Sequence, residues 1–109
     1  MRISELAEKG GLKAINACAD REVGGVYISD MVSDIITGAK AGSILVTLQT
    51  HKSLIAAANL VDVAMIVFVK GRRPAEDVVE LGTKAGIGLF SSEADAWTLA
   101  RKFTEIGLG

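Results

Sequence analysis

The spacing of apolar residues along the chain alternates between helix-like and strand-like periods. The predicted order is a helix, two strands, and then helices and strands in turn up to a final helix. The clearest strand is VAMIVFV, residues 63–69, because seven consecutive apolar residues fit a strand that is covered on both faces. The other predicted strands are residues 12–18, 25–29, 43–48 and 87–90. This order predicts an α/β fold, a single-domain three-layer sandwich in which helices flank a mainly parallel five-stranded sheet.

Three of the predicted helices have recognisable starts. Ser29 or Asp30 can cap the helix that follows the second strand, because short polar side chains accept hydrogen bonds from the first helical amides. Pro74 fits the first turn of the helix before the last strand. Ser91 or Ser92 precedes the final helix and is a candidate for its cap.

Length and charge restrict the possible functions. The chain has 109 residues, of which 50% are apolar, and this suits one domain with one hydrophobic core. The formal net charge is -1, and basic and acidic residues are interspersed, which argues against a nucleic-acid partner. Any anion-binding site must therefore be local.

Nothing in the sequence indicates secretion or a membrane. The single cysteine, Cys18, has no partner for an internal disulfide, and the first residues lack the apolar core of a signal peptide. The longest apolar stretch, residues 54–69, is interrupted by Asn59 and Asp62 and is shorter than the roughly 20 residues of a spanning helix. We expect a cytoplasmic protein.

The residues after the strands are the first candidates for a ligand site, because ligands of open parallel sheets bind beyond the carboxyl ends of the strands. Two such loops, QTHKS and VKGRRP, carry positive charge and lead into helices, whose N-termini favour anions. We expect the backbone amides after Thr50 and Gly71 to serve as additional donors. The alternative is that these cations belong to a solvated loop. The candidate ligand residues are Gln49, Thr50, His51, Lys52, Lys70, Gly71, Arg72 and Arg73.

Catalytic and metal-binding patterns are absent from the sequence. GAKAGS lacks the ending of a P-loop, and GIGLFS lacks the third glycine of a dinucleotide fingerprint. His51 is the only histidine, and Cys18 ends an apolar strand, so neither indicates a metal site or a nucleophile. We therefore expect no enzymatic activity, no metal and no cofactor.

The helix SLIAAANLV, residues 53–61, has no charge on any side, which is typical of a helix buried on more than one side. A second subunit can provide the additional surface, and a two-fold homodimer is the simplest assembly. Trp97 lies on the final helix, either at the edge of the core or at an interface. The residues predicted at the dimer interface are Leu54, Ala57, Ala58, Val61 and Trp97.

From about Val23 to Phe103 the chain resembles a DRTGG domain. In that family, a strand ending in Thr-x-Gly-Asp-Arg enters a helix of the form Asp-Ile-x-x-Ala-Ala, and a second strand ends in Thr-Gly-Gly with a proline three residues on. The corresponding text here is VTLQTHKSLIAAA, followed by VFVKGRRP. The name-giving residues are replaced by Gln49-Thr50-His51 and by Val69-Lys70-Gly71. The residues that match in register are Thr47, Leu54, Ile55, Ala57, Ala58, Gly71 and Pro74.

The resemblance implies one DRTGG-like domain over residues 1–109, with a fold similar to the N-terminal domain of HPr kinase/phosphatase. It also implies a non-catalytic regulatory role. One hypothesis is a homodimeric module that senses a nucleotide or another phosphorylated anion at the strand ends. The alternative is a structural dimerisation or protein-interaction domain, with an unidentified protein partner and no small-molecule ligand.

Overall fold

The computed structural model describes residues 1–108, and its elements follow the predicted order. The helices are α1 (Ile3–Gly10), α2 (Val32–Gly38), α3 (Lys52–Leu60), α4 (Glu76–Lys84) and α5 (Ala96–Glu105). The strands are β1 (Lys13–Ala14), β2 (Val26–Ile28), β3 (Ile44–Thr47), β4 (Met65–Phe68) and β5 (Gly88–Ser91). The predicted α/β class and the three-layer arrangement are confirmed.

The five strands form one sheet in the order β1-β5-β4-β3-β2. β2, β3, β4 and β5 are parallel, and β1 pairs antiparallel with β5 at one edge. The helices α2, α3 and α4 connect successive parallel strands, as this topology requires. All four parallel strands therefore end at the same edge of the sheet, where the predicted ligand loops lie.

Apolar side chains cover both faces of the sheet. Leu45, Ile66 and Leu89 pack under α2, α3 and α4, whereas Val46 and Met65 pack under α1 and α5. Every residue of β3, β4 and β5 is buried. This double burial explains the uninterrupted apolar runs in the sequence.

The predicted first strand is much shorter in the structure than residues 12–18. After Ala14 the Asn16 side chain takes over the role of the strand backbone: its Oδ1 accepts from Leu89 N at 2.8 Å, and its Nδ2 donates to Ile87 O at 3.0 Å. These bonds satisfy β5 without a continuous strand opposite it.

The predicted role of α3 in a dimer interface needs correction. Leu54 and Ala58 have 0% of their surface exposed and Ala57 has 2%, so these three side chains offer nothing to a second subunit. Apart from Lys52 at its start, α3 carries no charge, because α2 and α4 flank it and the sheet lies beneath it within the same chain. Val61 is half-buried against the same core, and Trp97 is exposed.

Two predicted helix caps are also wrong. α2 begins after Met31, and the Asp30 carboxylate instead accepts from Thr47 Oγ1 at 2.8 Å and from Leu48 N at 2.7 Å. Asp95 caps α5 by accepting from Thr98 N. The helices of residues 1–108 are all too short or too polar to cross a membrane.

Candidate functional site

The loop after β3 is shaped by its own side chains. Gln49 Oε1 accepts from Thr50 N at 3.1 Å and from His51 N at 3.0 Å. His51 is the N-cap of α3, and its Nδ1 accepts from Ser53 N at 3.2 Å. The Leu54 N–H donates to the His51 carbonyl. Several of the amides at this helix start are therefore already bonded, and the expectation that His51 N–H is an open donor is wrong.

The loop after β4 is shaped by its backbone. Lys70 and Gly71 both have left-handed conformations, with φ of 56° and 68°. Their N–H groups donate to the carbonyls of Ala94 and Ser92 at 2.9 and 2.8 Å, and Arg72 N donates to Val69 O. The amides around Gly71 thus hold the loop against the β5–α5 connection, and Arg72 N–H is not the open donor that we expected.

Glycine is favoured at position 71. A Cβ atom there would lie 2.8 Å from Glu93 Oε2, in addition to the cost of the left-handed conformation. Lys70 adopts the same conformation without the freedom of glycine. A non-glycine residue held in this region is often found at a functional site.

A cleft of 350 Å³ lies beside the loop after β3. Four of the predicted ligand residues line it, and the start of α4 closes the other side. Arg72 and Arg73 are absent from its lining. The loop QTHKS therefore faces the residues that follow Pro74, and not the loop VKGRRP as predicted. The lining residues are Gln49, Thr50, His51, Lys52, Ala75, Asp77 and Val78.

The charges near this cleft are mostly unpaired. Within residues 1–108, Lys52, Lys70, Arg72 and Arg73 form no ion pair, and Arg72 and Arg73 are exposed. Asp77 is the one carboxylate in the lining. The chain therefore presents four available cations after two neighbouring strands, with the cleft between β3 and α4 beside them.

Two titratable groups have clear causes for their pKa shifts: Asp95, beside the loop after β4, and Cys18, which lies against Gly88 at the start of β5 and so away from the strand ends. The hydrogen bond from Thr98 N–H lowers the pKa of the Asp95 carboxyl, and the charge of Lys70 acts in the same direction. Burial raises the pKa of the Cys18 thiol, and the Asp20 charge adds to this effect. A thiol with a raised pKa is a weak nucleophile.

Sequence reasoning missed a second cleft at the same edge of the sheet. It has a volume of 200 Å³ and lies between the end of α1, the loop after β5 and the first turn of α5. Ser92 is in its lining; the sequence also marks Ser91-Ser92-Glu93 as residues that follow a strand, but the predicted ligand site does not include them. The signal that could have identified it is the position of Ser91-Ser92-Glu93 after a parallel strand.

No protein-family model matches the sequence, and a search of the curated proteins gives no match. A solved structure is similar: the CBS and DRTGG domains of the regulatory region of Clostridium perfringens pyrophosphatase, in complex with its activator diadenosine tetraphosphate. The TM-score is 0.69 over 91% of this chain, at 15% sequence identity, and the chain spans 44% of that structure. At this level of identity the likeness concerns the fold, which is DRTGG-like as the sequence predicted.

Proposed function

We propose that the chain is a cytoplasmic, non-catalytic regulatory module that senses a nucleotide or another phosphorylated anion at the carboxyl ends of β3 and β4. The observation that carries this proposal is the set of four unpaired cations at those strand ends: Lys52, Lys70, Arg72 and Arg73. Lys52 lines a cleft of 350 Å³, which is large enough for a small ligand, and the other three cations belong to the neighbouring loop after β4.

The fold supports a regulatory role. The similar structure comes from the regulatory region of an enzyme, and its activator is a dinucleoside polyphosphate. Phosphate groups are also the ligands that arginine and lysine recognise best, arginine through two parallel hydrogen bonds and lysine through its compact charge. The ligand proposed for this chain shares only its chemical class with that activator.

Recognition in this site depends on side chains more than on backbone amides. Gln49 and His51 occupy amides at the start of α3, and the Lys70 and Gly71 amides bond to the loop after β5. The affinity for an anion should therefore fall when cations are removed and when salt screens them.

The test is a thermal-unfolding screen with diadenosine tetraphosphate, ATP, AMP and pyrophosphate. A ligand at one hundred times its Kd stabilises the folded state by about 2.7 kcal/mol, which raises the Tm by roughly 10 °C in a domain of this size. Arg72→Ala/Arg73→Ala and Lys52→Ala should lose most of this shift.

The matched control is Lys40→Ala/Lys84→Ala. These two exposed lysines precede β3 and β5, at the opposite edge of the sheet, so the variant loses the same net charge as the double arginine variant. It should keep the full shift. A screen without any shift, or an equal loss in the control, contradicts ligand sensing at this site.

A second candidate function is dimerisation, with or without a ligand. Trp97 is 70% exposed on α5 and Ile28 is 50% exposed on the edge strand β2. Ala100 and Thr104 border both residues, so the apolar surface is continuous. Arg101 and Glu105 on the same helix carry opposite charges, so two copies of this surface can meet without net repulsion.

Sedimentation velocity measures this directly. The parent chain should sediment as a dimer, and Trp97→Ala should shift it to the monomer because a central exposed tryptophan is a typical anchor of an interface. Leu60→Ala is the control, since Leu60 is 71% exposed at the end of α3, on the other face of the sheet. A parent chain that is monomeric at high concentration rejects the homodimer.

A further inference from the structure

The cleft of 200 Å³ beside β5 shares no residue with the cleft between β3 and α4. The end of α1, the first residue of β1, the loop after β5 and the start of α5 enclose it. Its lining residues are Gly10, Gly11, Lys13, Ser91, Ser92, Glu93, Ala94, Thr98, Leu99 and Lys102.

A buried hydroxyl group in this lining has an unused donor. Ser92 is only 9% exposed, and its Oγ accepts from Ala94 N at 3.2 Å, which fixes the side chain. Within residues 1–108 no protein atom accepts a hydrogen bond from the Ser92 hydroxyl group. Because a hydroxyl hydrogen can rotate, it can turn towards a ligand atom while the Ser92 Oγ keeps the bond from Ala94 N.

Two lysines supply positive charge to the same cleft. Lys102 Nζ lies 3.7 Å from the place that a Cβ atom on Gly11 would take, so its ammonium group stands directly over that glycine. In the part of the chain that the structure describes, neither Lys13 nor Lys102 forms an ion pair.

One carboxylate opposes these charges. Glu93 belongs to the lining, but its Oε2 lies 2.8 Å from the position that a Cβ on Gly71 would occupy, which places the carboxylate towards the loop after β4. The side chains of the cleft thus sum to two positive charges and one negative charge. The balance favours an anion.

We propose that this cleft binds a small oxyanion, either free phosphate or a short phosphate ester, between Lys13 and Lys102 with the Ser92 hydroxyl as a donor. A volume of 200 Å³ corresponds to about seven water molecules in the liquid, which is enough for a phosphate group. The ligand would join the end of α1 to the start of α5. Different residues line this site and the proposed nucleotide site, although the Lys70 and Gly71 amides bond to the carbonyls of Ala94 and Ser92.

The experiment is a titration of the isotope-labelled chain with inorganic phosphate and with glycerol 3-phosphate, at constant ionic strength, followed by amide NMR spectra. We expect saturable shifts of the Gly11, Ser92, Ala94 and Thr98 amides. Lys13→Ala/Lys102→Ala should weaken binding about tenfold or more, because each lost charge-assisted bond accounts for about that factor. Lys40→Ala/Lys84→Ala should bind as the parent does.

Binding of both probes means that the phosphate group itself is recognised, and binding of the ester alone identifies an ester site. Non-saturable shifts, or an equal loss in both double-lysine variants, overturn the proposal.

Two further variants test the chemistry. Glu93→Gln should strengthen phosphate binding severalfold, since it removes the opposing charge. A weaker affinity in this variant would mean that the ligand carries a cation and would overturn the oxyanion class. Ser92→Ala should weaken phosphate binding. Thermal unfolding of this variant is measured in parallel to show that it is folded.

The variant Arg72→Ala/Arg73→Ala distinguishes the cleft beside β5 from the proposed nucleotide site. This variant should keep phosphate binding in the cleft beside β5, whatever the outcome of the nucleotide screen. Loss of phosphate binding in it would place the anion at the loop after β4 and overturn this proposal.

Discussion

The loops after β3 and β4 lie next to each other, and they satisfy their backbone amides in different ways. Each leads from a buried parallel strand into a helix of nine residues. The first satisfies its amides with the side chains of Gln49 and His51. The second uses two left-handed residues, Lys70 and Gly71, and main-chain bonds to the β5–α5 connection.

This difference decides which substitutions each loop tolerates. A loop made by side chains depends on the presence of acceptor atoms, and another side chain with an acceptor can replace the original. A loop made by left-handed backbone is strained by each Cβ atom at a left-handed position and is insensitive to the chemistry beyond that atom. Substitutions at four positions test this contrast, starting with the largest effect.

Gly71→Ala should cause the greatest loss of stability. The left-handed conformation costs an alanine about 1–2 kcal/mol, whereas the Glu93 carboxylate, 2.8 Å from the new Cβ, is the exposed end of a flexible side chain and can move aside at little cost. We expect a total loss of about 2 kcal/mol in the free energy of unfolding by urea. Gly24→Ala is the control, because a Cβ there meets no atom within 4 Å and the residue lacks a positive φ. Equal losses in both variants would refute the backbone argument.

Gln49→Ala should cost less. It removes the acceptor of two amides, Thr50 N and His51 N, in a half-buried place, and we expect a loss of about 1–2 kcal/mol. Gln49→Glu keeps an acceptor at that place and should unfold within about 0.5 kcal/mol of the parent chain. If the glutamate variant is as unstable as the alanine variant, side-chain acceptors do not hold the loop after β3.

Lys70→Gly should have the opposite sign. Its φ of 56° is strained for lysine and free of strain for glycine, so stability should rise by about 0.5–1 kcal/mol after the entropy of the unfolded chain is included. Lys70→Ala keeps the strained Cβ and removes the charge, so it should show no gain. Equal stability of the two variants would mean that the backbone at position 70 carries no strain.

The contrast also explains what the sequence could predict. Burial on both faces of β4 is evident from seven consecutive apolar residues, so residues 63–69 identify the strand from composition alone. Residues 12–18 are also predicted as a strand but yield one of only two residues, because Asn16 takes over the bonds to β5. Whether a side chain can replace the strand backbone in this way depends on where β5 lies in space. The hydrophobic periodicity of the sequence carries no information about that position.

The candidate site could also be predicted only in part from the sequence. The rule that ligand loops follow parallel strands predicts Gln49 and Lys52, and both line the cleft between β3 and α4. The same rule does not predict the direction of the loop after β4, since it follows from the sign of φ at Lys70 and from bonds to Ser92 and Ala94. Residue types alone do not predict a left-handed lysine.

The smallest effect concerns the contact between the loop after β4 and the start of α5. The Thr98 N–H bond lowers the pKa of Asp95 below that of the unfolded chain, with a further contribution from the Lys70 charge. A group whose pKa is lowered by folding stabilises the folded state above its unfolded pKa of about 3.9, and this stabilisation is lost as the pH falls through the folded pKa.

We therefore expect Asp95→Asn to be less stable than the parent chain at neutral pH, and the difference should shrink as the pH falls below about 4. Urea unfolding of both chains between neutral and acidic pH measures it. Lys70→Ala should reduce the same difference slightly, because the lysine charge is the minor cause of the shift. A difference that stays constant over the pH range would mean that the Asp95 carboxylate acts only as a neutral hydrogen-bond acceptor, and that Lys70 has no electrostatic link to α5.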